Sequence, residues 1–354
     1  PAPTTSAIAD VTTVTTGTWA EYNLTGYITA NGTYSFIFLP DSSDGARFVS
    51  REGSPPPELL ITFGTGPAPT PTNTPTPGPT PTPTSTPSGG SVVFVGAGDI
   101  ANCSRTTDEA TALLLDGIPG TVFTIGDNAY PSGSATDFNN CYEPTWGRHK
   151  ARTSPAAGDQ DYATAGASGY YDYFGSAAGD PSEGYYSYDL GSWHIVVLNS
   201  NCSDIGGCTP GSPQGLWLQA DLAAHPSTCT LAIFHEPLFS SSGGDPDLVD
   251  FWDPLYNVGA DIILNGHRHY YERFALQTPG GLAAPGRGIR QFVVGTGGTN
   301  LSSFDAMPAN LEVRNNVTHG VLKLTLYPTS YDWEFVPIAG QTFTDSGSAD
   351  CVSL

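Results

Sequence analysis

Six residues stand at or just beyond the ends of apolar runs in this chain and have side chains that could share a metal: Asp99 after "SVVFVGAG", Asp127 after "TVFTIG", Tyr130 three residues on, His235 closing "TLAIF", and His267 and His269 after "ADIILNG". Carboxylate mixed with imidazole suits Fe, Zn or Mn, whereas an all-oxygen set suits Mg or Ca. His267 and His269 are alternate residues, so in an extended segment they project to one side. A single strand-end Asp is ordinarily a turn or helix cap, and a lone His235 before Glu-Pro is ordinarily structural. Caps alone do not explain potential ligands at successive strand ends. Together they predict a metal site.

Such a site needs strands whose carboxyl ends meet. The runs "SVVFVGAGD", "TVFTIGD", "HIVVLNSN", "TLAIFHEP", "ADIILNGH" and "RQFVVGTGG" read as buried strands, and "TDEATALLLDG" and "GLWLQADLAA" carry helical periodicity. The second part of the chain is therefore predicted to be α/β (α+β), with helices covering buried sheets. In that arrangement carboxyl ends of neighbouring strands share an edge and gather residues distant in sequence. Before it, "PAPTPTNTPTPGPTPTPTSTPSGG" (67–90) alternates Thr with Pro and reads as an extended spacer whose threonines suit O-glycosylation. Residues 1–66 hold short aromatic and β-branched runs between turn signals, an all-β pattern. The predicted organisation is thus 1–66, the linker 67–90, and 91–354.

The chain of 354 residues has a formal charge of −22, with 12 Lys+Arg against 34 Asp+Glu. That balance speaks against a nucleic-acid or anionic-membrane surface. No apolar stretch reaches the roughly 20 residues of a membrane span. No charged-then-apolar leader precedes Pro1, and a processed start is expected. An even set of cysteines and sequons at Asn23, Asn31, Asn102, Asn201, Asn300 and Asn316 point to a secreted, glycosylated, oxidised protein. Cys202 and Cys208 bracket a short loop and are expected to pair; Cys103 and Cys141, each shortly after a strand end, are the next candidates, leaving Cys229 and Cys351. The sequence does not choose among the connectivities. Without a C-x-x-C spacing, a metal role for the cysteines is the weaker reading.

"GDIA" (98–101), "GDNAY" (126–130), "GDQD" (158–161), "FHEP" (234–237) and "GHRHYYER" (266–273) stand in an order and spacing that resembles the calcineurin-like metallophosphoesterases, and most closely the purple acid phosphatases. The resemblance covers nearly all of 91–354. It implies two packed β-sheets flanked by helices, with a two-metal site at the sheet edge. Carried over position by position, Asp99, Asp127, Tyr130 and His269 would hold the first metal, ferric iron in that family. Asp127 would bridge to a second metal, Zn, Mn or Fe, held also by Asp159, His235 and His267. Tyr130 marks the purple branch, where a tyrosinate on ferric iron gives the colour. The implied reaction is hydrolysis of phosphate esters by in-line attack of metal-activated water.

Two blocks depart from the family's pattern. The third should read Gly-Asn-His followed by an acid and here reads Gly158-Asp159-Gln160-Asp161. Asp159 adds a negative charge where the family has a neutral ligand. Gln160 stands at the position of the family's histidine, can donate hydrogen bonds and cannot titrate. Asp161 is the candidate substitute acid. In the fourth block Glu236 stands where many bacterial relatives have a second histidine, and His149, His194, His225 and His319 are read as structural. Residues 1–66 resemble the later part of carbohydrate-binding-type β-sandwich domains, implying a partial jelly-roll and glycan binding, with Trp19, Tyr22 and Tyr34 as candidate platform residues. A jelly-roll short of strands exposes an edge, so self-association into an oligomer or fibre through this segment is expected. Two functional classes follow: a secreted phosphoesterase, or a phosphoesterase-fold structural glycoprotein with impaired chemistry.

Overall fold

The computed structural model describes residues 90–352. Residues 1–89, which hold the 1–66 segment and all but the last residue of the linker, with their glycan-binding and self-association expectations and the sequons Asn23 and Asn31, lie outside the described residues.

Two β-sheets form the centre. The first contains six strands in the order Ser346–Asp350, Ser330–Pro337, Gly320–Leu326, Val92–Ala97, Thr121–Thr124 and Thr153–Ser154. The second contains seven: Leu311–Asn315, Tyr271–Phe274, Arg290–Val294, Ile262–Asn265, Cys229–Ile233, Trp193–Val197 and Tyr186–Leu190. In each sheet the strands that lead to the candidate ligands are parallel, Val92–Ala97 beside Thr121–Thr124, and Cys229–Ile233 beside Ile262–Asn265. Their carboxyl ends therefore point the same way. The expected two-sheet sandwich with helical cover is the observed architecture.

Period-two patterning sorts the second sheet's side chains. Trp193, Ile195, Val197, Leu231, Ile233, Ile262 and Leu264 belong to the core shared with the first sheet. Their alternates Val196, Ala232, Phe234 and Ile263 pack with Leu218, Leu222, Phe251, Trp252 and Leu255 from the helices Pro213–Ala224 and Val249–Asn257. Aromatic contacts cross between the sheets: Tyr271 lies 4.7 Å from Phe335 and Trp193 5.7 Å from Tyr331, ring centre to ring centre. The helix Thr107–Gly117 buries Ala112 and Leu115 in the same core.

Disulfides join Cys103 to Cys141, Cys202 to Cys208, and Cys229 to Cys351. The third ties a second-sheet strand to the end of the first sheet's edge strand, across 122 residues of chain. Among the described residues no helix is long and apolar enough to cross a membrane.

Candidate metal centre

Beyond the strand ends the backbone keeps pairing and aligns the loops. Asp99, Ile100 and Ala101 donate their amides to the carbonyls of Gly126, Asp127 and Asn128, which sets the first two motifs side by side. Phe234 donates to Leu264 and Gly266 to His235, doing the same for the second sheet. Asp99, Asp127 and His267 adopt left-handed backbone conformations, with φ of 60°, 51° and 64°. Such strain in non-glycine residues gathers at functional sites. Glycine is required beside them for space. A Cβ on Gly158 would stand 2.3 Å from Asp127 Oδ1, and one on Gly126 2.5 Å from His235 Nδ1.

The side chains form two donor sets. In the first, Tyr130 Oη lies 2.8 Å from Asp127 Oδ2, 3.0 Å from Asp99 Oδ1 and 3.1 Å from His269 Nε2. In the second, Asp159 Oδ1 lies 2.9 Å from His267 Nδ1 and 3.0 Å from His235 Nε2, which is 3.3 Å from Asp127 Oδ1. Asp127 thus turns one oxygen to each set. Spacings of about 3 Å match the edge of a coordination polyhedron with bonds of about 2.1 Å. The imidazoles are oriented from behind: His235 Nδ1 contacts the Ile125 carbonyl at 2.6 Å, and His269 Nδ1 contacts that of Asn300 at 2.8 Å. Those carbonyls accept the ring N–H and leave Nε2 as the ligand atom.

The electrostatics also fit cations. Burial opposes a charge on His235, yet Asp127, Asp159 and Asp99 push its pKa well above the ordinary value; His269 is raised in the same way, chiefly by Asp99. Burial likewise works against charged Asp99 and Asp159. The hydrogen bond and charge of His269 nevertheless lower the first, and His235 and His267 hold the second far down. Tyr130 is driven far up by burial and then by Asp99 and Asp127. A cluster that raises the pKa of buried His235 and half-buried His269 is rich in negative charge, and its nitrogen and oxygen donors suit Fe, Zn or Mn.

The departures take definite places. Asp159 stands against His235 and His267, while Gln160 donates its backbone amide to Asp127 Oδ1 at 2.8 Å and its side-chain amide to Asp159 Oδ2 at 3.0 Å. Asp161, read as a substitute acid, is fully buried and accepts from the Gly158 amide, at 2.9 Å, and from the Asn128 side chain, also at 2.9 Å. Burial and Asp127 raise it to about 7, but its carboxylate is closed off from solvent and braces the turn through Gly158 and Asn128. Asn128, which holds Asp161, escaped the sequence reading; its place inside "GDNAY" was the available signal. Glu236 is half-buried beside His235 and raised by burial, with Asp159 and Asp245 adding to the effect.

The other histidines lie apart. His149 contacts the Ala112 carbonyl and His319 that of Thr299. His194 sits between Asp189 and Asp221 and stacks on His225 at 4.7 Å, the rings 15° from parallel. Parallel rings send their in-plane lone pairs along separate planes, a poor arrangement for one shared ion. Asp261, close to Cys229 and Cys351, has cysteines already joined as a disulfide. Of the described sequons, Asn300 is exposed and Asn102 half-buried; Asn201 and Asn316 are half-buried with their amides bonded to Asn199 and Ser302.

The sandwich and the paired donor sets point to one class: the described residues have the fold of the calcineurin-like metallophosphoesterases. No family model matches the chain. Among curated proteins it is similar to purple acid phosphatase 15 of Arabidopsis thaliana, 26% identical over 215 residues, covering 50% of this chain and 40% of that one. Among solved structures it is similar to a purple acid phosphatase from yellow lupin (Lupinus luteus), TM-score 0.58 at 20% identity, covering 73% of this chain and 54% of that one. It is also similar to GAP50 of Plasmodium, TM-score 0.55 at 13% identity, covering 75% and 90%. The chain spans less than two thirds of the phosphatases it matches. Within the class, the domain is purple acid phosphatase-like.

Proposed function

We propose that this chain is a secreted, glycosylated phosphoesterase that holds two metal ions and hydrolyses phosphate esters. The observation that carries the proposal is Asp127, whose two oxygens serve two separate donor sets. Asp99, Asp127, Tyr130 and His269 would hold ferric iron; Asp127, Asp159, His235 and His267 would hold Zn, Mn or Fe. When bound, the ions supply Lewis acidity toward the phosphoryl oxygens and an activated water. The chain's own residues fix the ligands: Ile125 and Asn300 orient the imidazoles, and Gln160 and Tyr130 each donate to one oxygen of Asp127. Gln160 orients by hydrogen bonding and delivers no proton, and buried Asp161 does not replace the missing histidine. Turnover is therefore slow. Hydrolysis of an aryl phosphate by the metal-loaded full chain, with its visible spectrum, tests this; absent hydrolysis and absent colour in metal-loaded protein overturn it.

Asp159 and Gln160, in place of the family's Asn-His pair, also support a second reading, a catalytically impaired scaffold acting as an extracellular structural glycoprotein that self-associates through 1–66. The similar structure of GAP50 is described as the anchor in the inner membrane complex of Plasmodium, an anchoring use of this fold. Light scattering of the full chain against one beginning at Ser91 separates the readings, because assembly lost on truncation supports the scaffold and a monomeric full chain removes it.

A further inference from the structure

A cleft of about 770 Å³ opens directly from the second donor set, with Asp159 in its wall. Asp204, Glu236, Asp245, Asp247 and Asp250 also line it, and neither Lys nor Arg does. A smaller hollow of about 120 Å³ shares Glu236 and Asp245 with it and adds His267 and Arg268. Two further observations mark this trench as a ligand site. Ser200, in the wall of the larger cleft and 4% exposed, accepts the Glu236 amide at 3.1 Å, and its hydroxyl hydrogen has no acceptor among the described residues. Arg268 donates from Nη2 to the Gly243 carbonyl at 2.9 Å, while its buried Nε has no partner among the described residues.

An ester whose phosphoryl group sits at the two donor sets has this cleft beside it for its leaving group. We infer that the chain selects phosphate esters whose leaving group carries a positive charge, an aminoalkyl phosphate above all, and rejects those with an anionic leaving group. The inference rests on the phosphoesterase reading and adds the substrate class to it. Arg268 gives the phosphoryl end a cationic neighbour, whereas the carboxylates around the larger cleft give the leaving group a negative field. Low-dielectric walls strengthen that field at the cleft floor. Polyphosphates and anionic sugar phosphates meet the same carboxylates as repulsion.

The test is calorimetric binding of three esters of similar size to the metal-loaded full chain: 2-aminoethyl phosphate, propyl phosphate and phosphoglycolate. At low salt the expected order is aminoethyl tightest and phosphoglycolate weakest, with a spread of about tenfold or more. Raising the salt narrows the spread, because part of the cleft faces solvent. The double variant Asp247→Asn, Asp250→Asn narrows it too, without needing either residue at the metals. Equal binding of all three, or a spread unaltered by the variant, overturns the inference. If the three bind equally and are hydrolysed, the phosphoesterase reading stands alone. If the metal-loaded protein neither binds nor hydrolyses any of them, both fall together.

Discussion

Tyr130 donates its hydroxyl to Asp127 Oδ2 at 2.8 Å, while the other oxygen of Asp127 lies 3.3 Å from His235 Nε2. One carboxylate thus connects the phenol that would colour an iron site to the histidine of the neighbouring set. Asp127 makes both contacts from a left-handed backbone conformation, with φ of 51°.

Tyr130→Phe should therefore abolish visible absorbance and spare the second ion, since Asp159, His235 and His267 do not contact the phenol. Parallel spectra and elemental analysis check this. A coloured variant would place the chromophore elsewhere.

Asp159→Asn with Gln160→His restores a neutral ligand and a titratable donor next to the metals. Aryl phosphate hydrolysis should rise by about 10²–10⁴-fold, the usual contribution of general acid catalysis. Steady-state rates at equal metal content decide, and a double variant no faster than its parent rules out these positions as the limit on turnover.

Asp261 and Glu272 give the fold a pH dependence independent of the metals. Burial raises each to about 7, although Asp261 accepts the Thr230 and Val352 amides and Glu272 that of Ser241. With folded values above unfolded ones, the native state binds more protons between about pH 4 and 7. The stability they contribute is full below their unfolded values and lost as pH rises through 7. Asp261→Asn should flatten the fall in melting temperature between pH 5 and 8; an unchanged slope would show that Asp261 ionises as freely in the fold as outside it.

Removing the Cys229–Cys351 disulfide by paired Ser substitution should cost about 2–5 kcal/mol in denaturant unfolding, and removing Cys202–Cys208 less. The first closes 122 residues and the second 6. Equal losses would point to local strain as the source of the effect.

Much of this was legible in the chain because buried parallel strands are continuous apolar runs, and the ligands sit where those runs stop. "TVFTIGD" and "ADIILNGH" became the strands Thr121–Thr124 and Ile262–Asn265 with Asp127 and His267 just beyond. The helix Val249–Asn257 went unread, since Pro254 and acids at 250 and 253 obscure its periodicity. So did the strands from Leu311 onward, where polar residues such as Lys323, Thr325, Asp332 and Glu334 interrupt the apolar ones and leave no continuous apolar run. The carbonyls of Ile125 and Asn300 that orient the histidines are backbone atoms, invisible to any reading by residue type. The direction of Asp161 was equally hidden: its carboxylate turns inward to Gly158 and Asn128, which only the three-dimensional path of the loop reveals.

The most direct test of the central claim is the metal content of the purified full chain beside its Asp127→Ala variant, by elemental analysis. A shared bridging carboxylate predicts about two ions per parent chain and a loss from both sets in the variant, to well below one ion. A parent that binds a single ion, or a variant that keeps both, would contradict the two-metal centre built on Asp127.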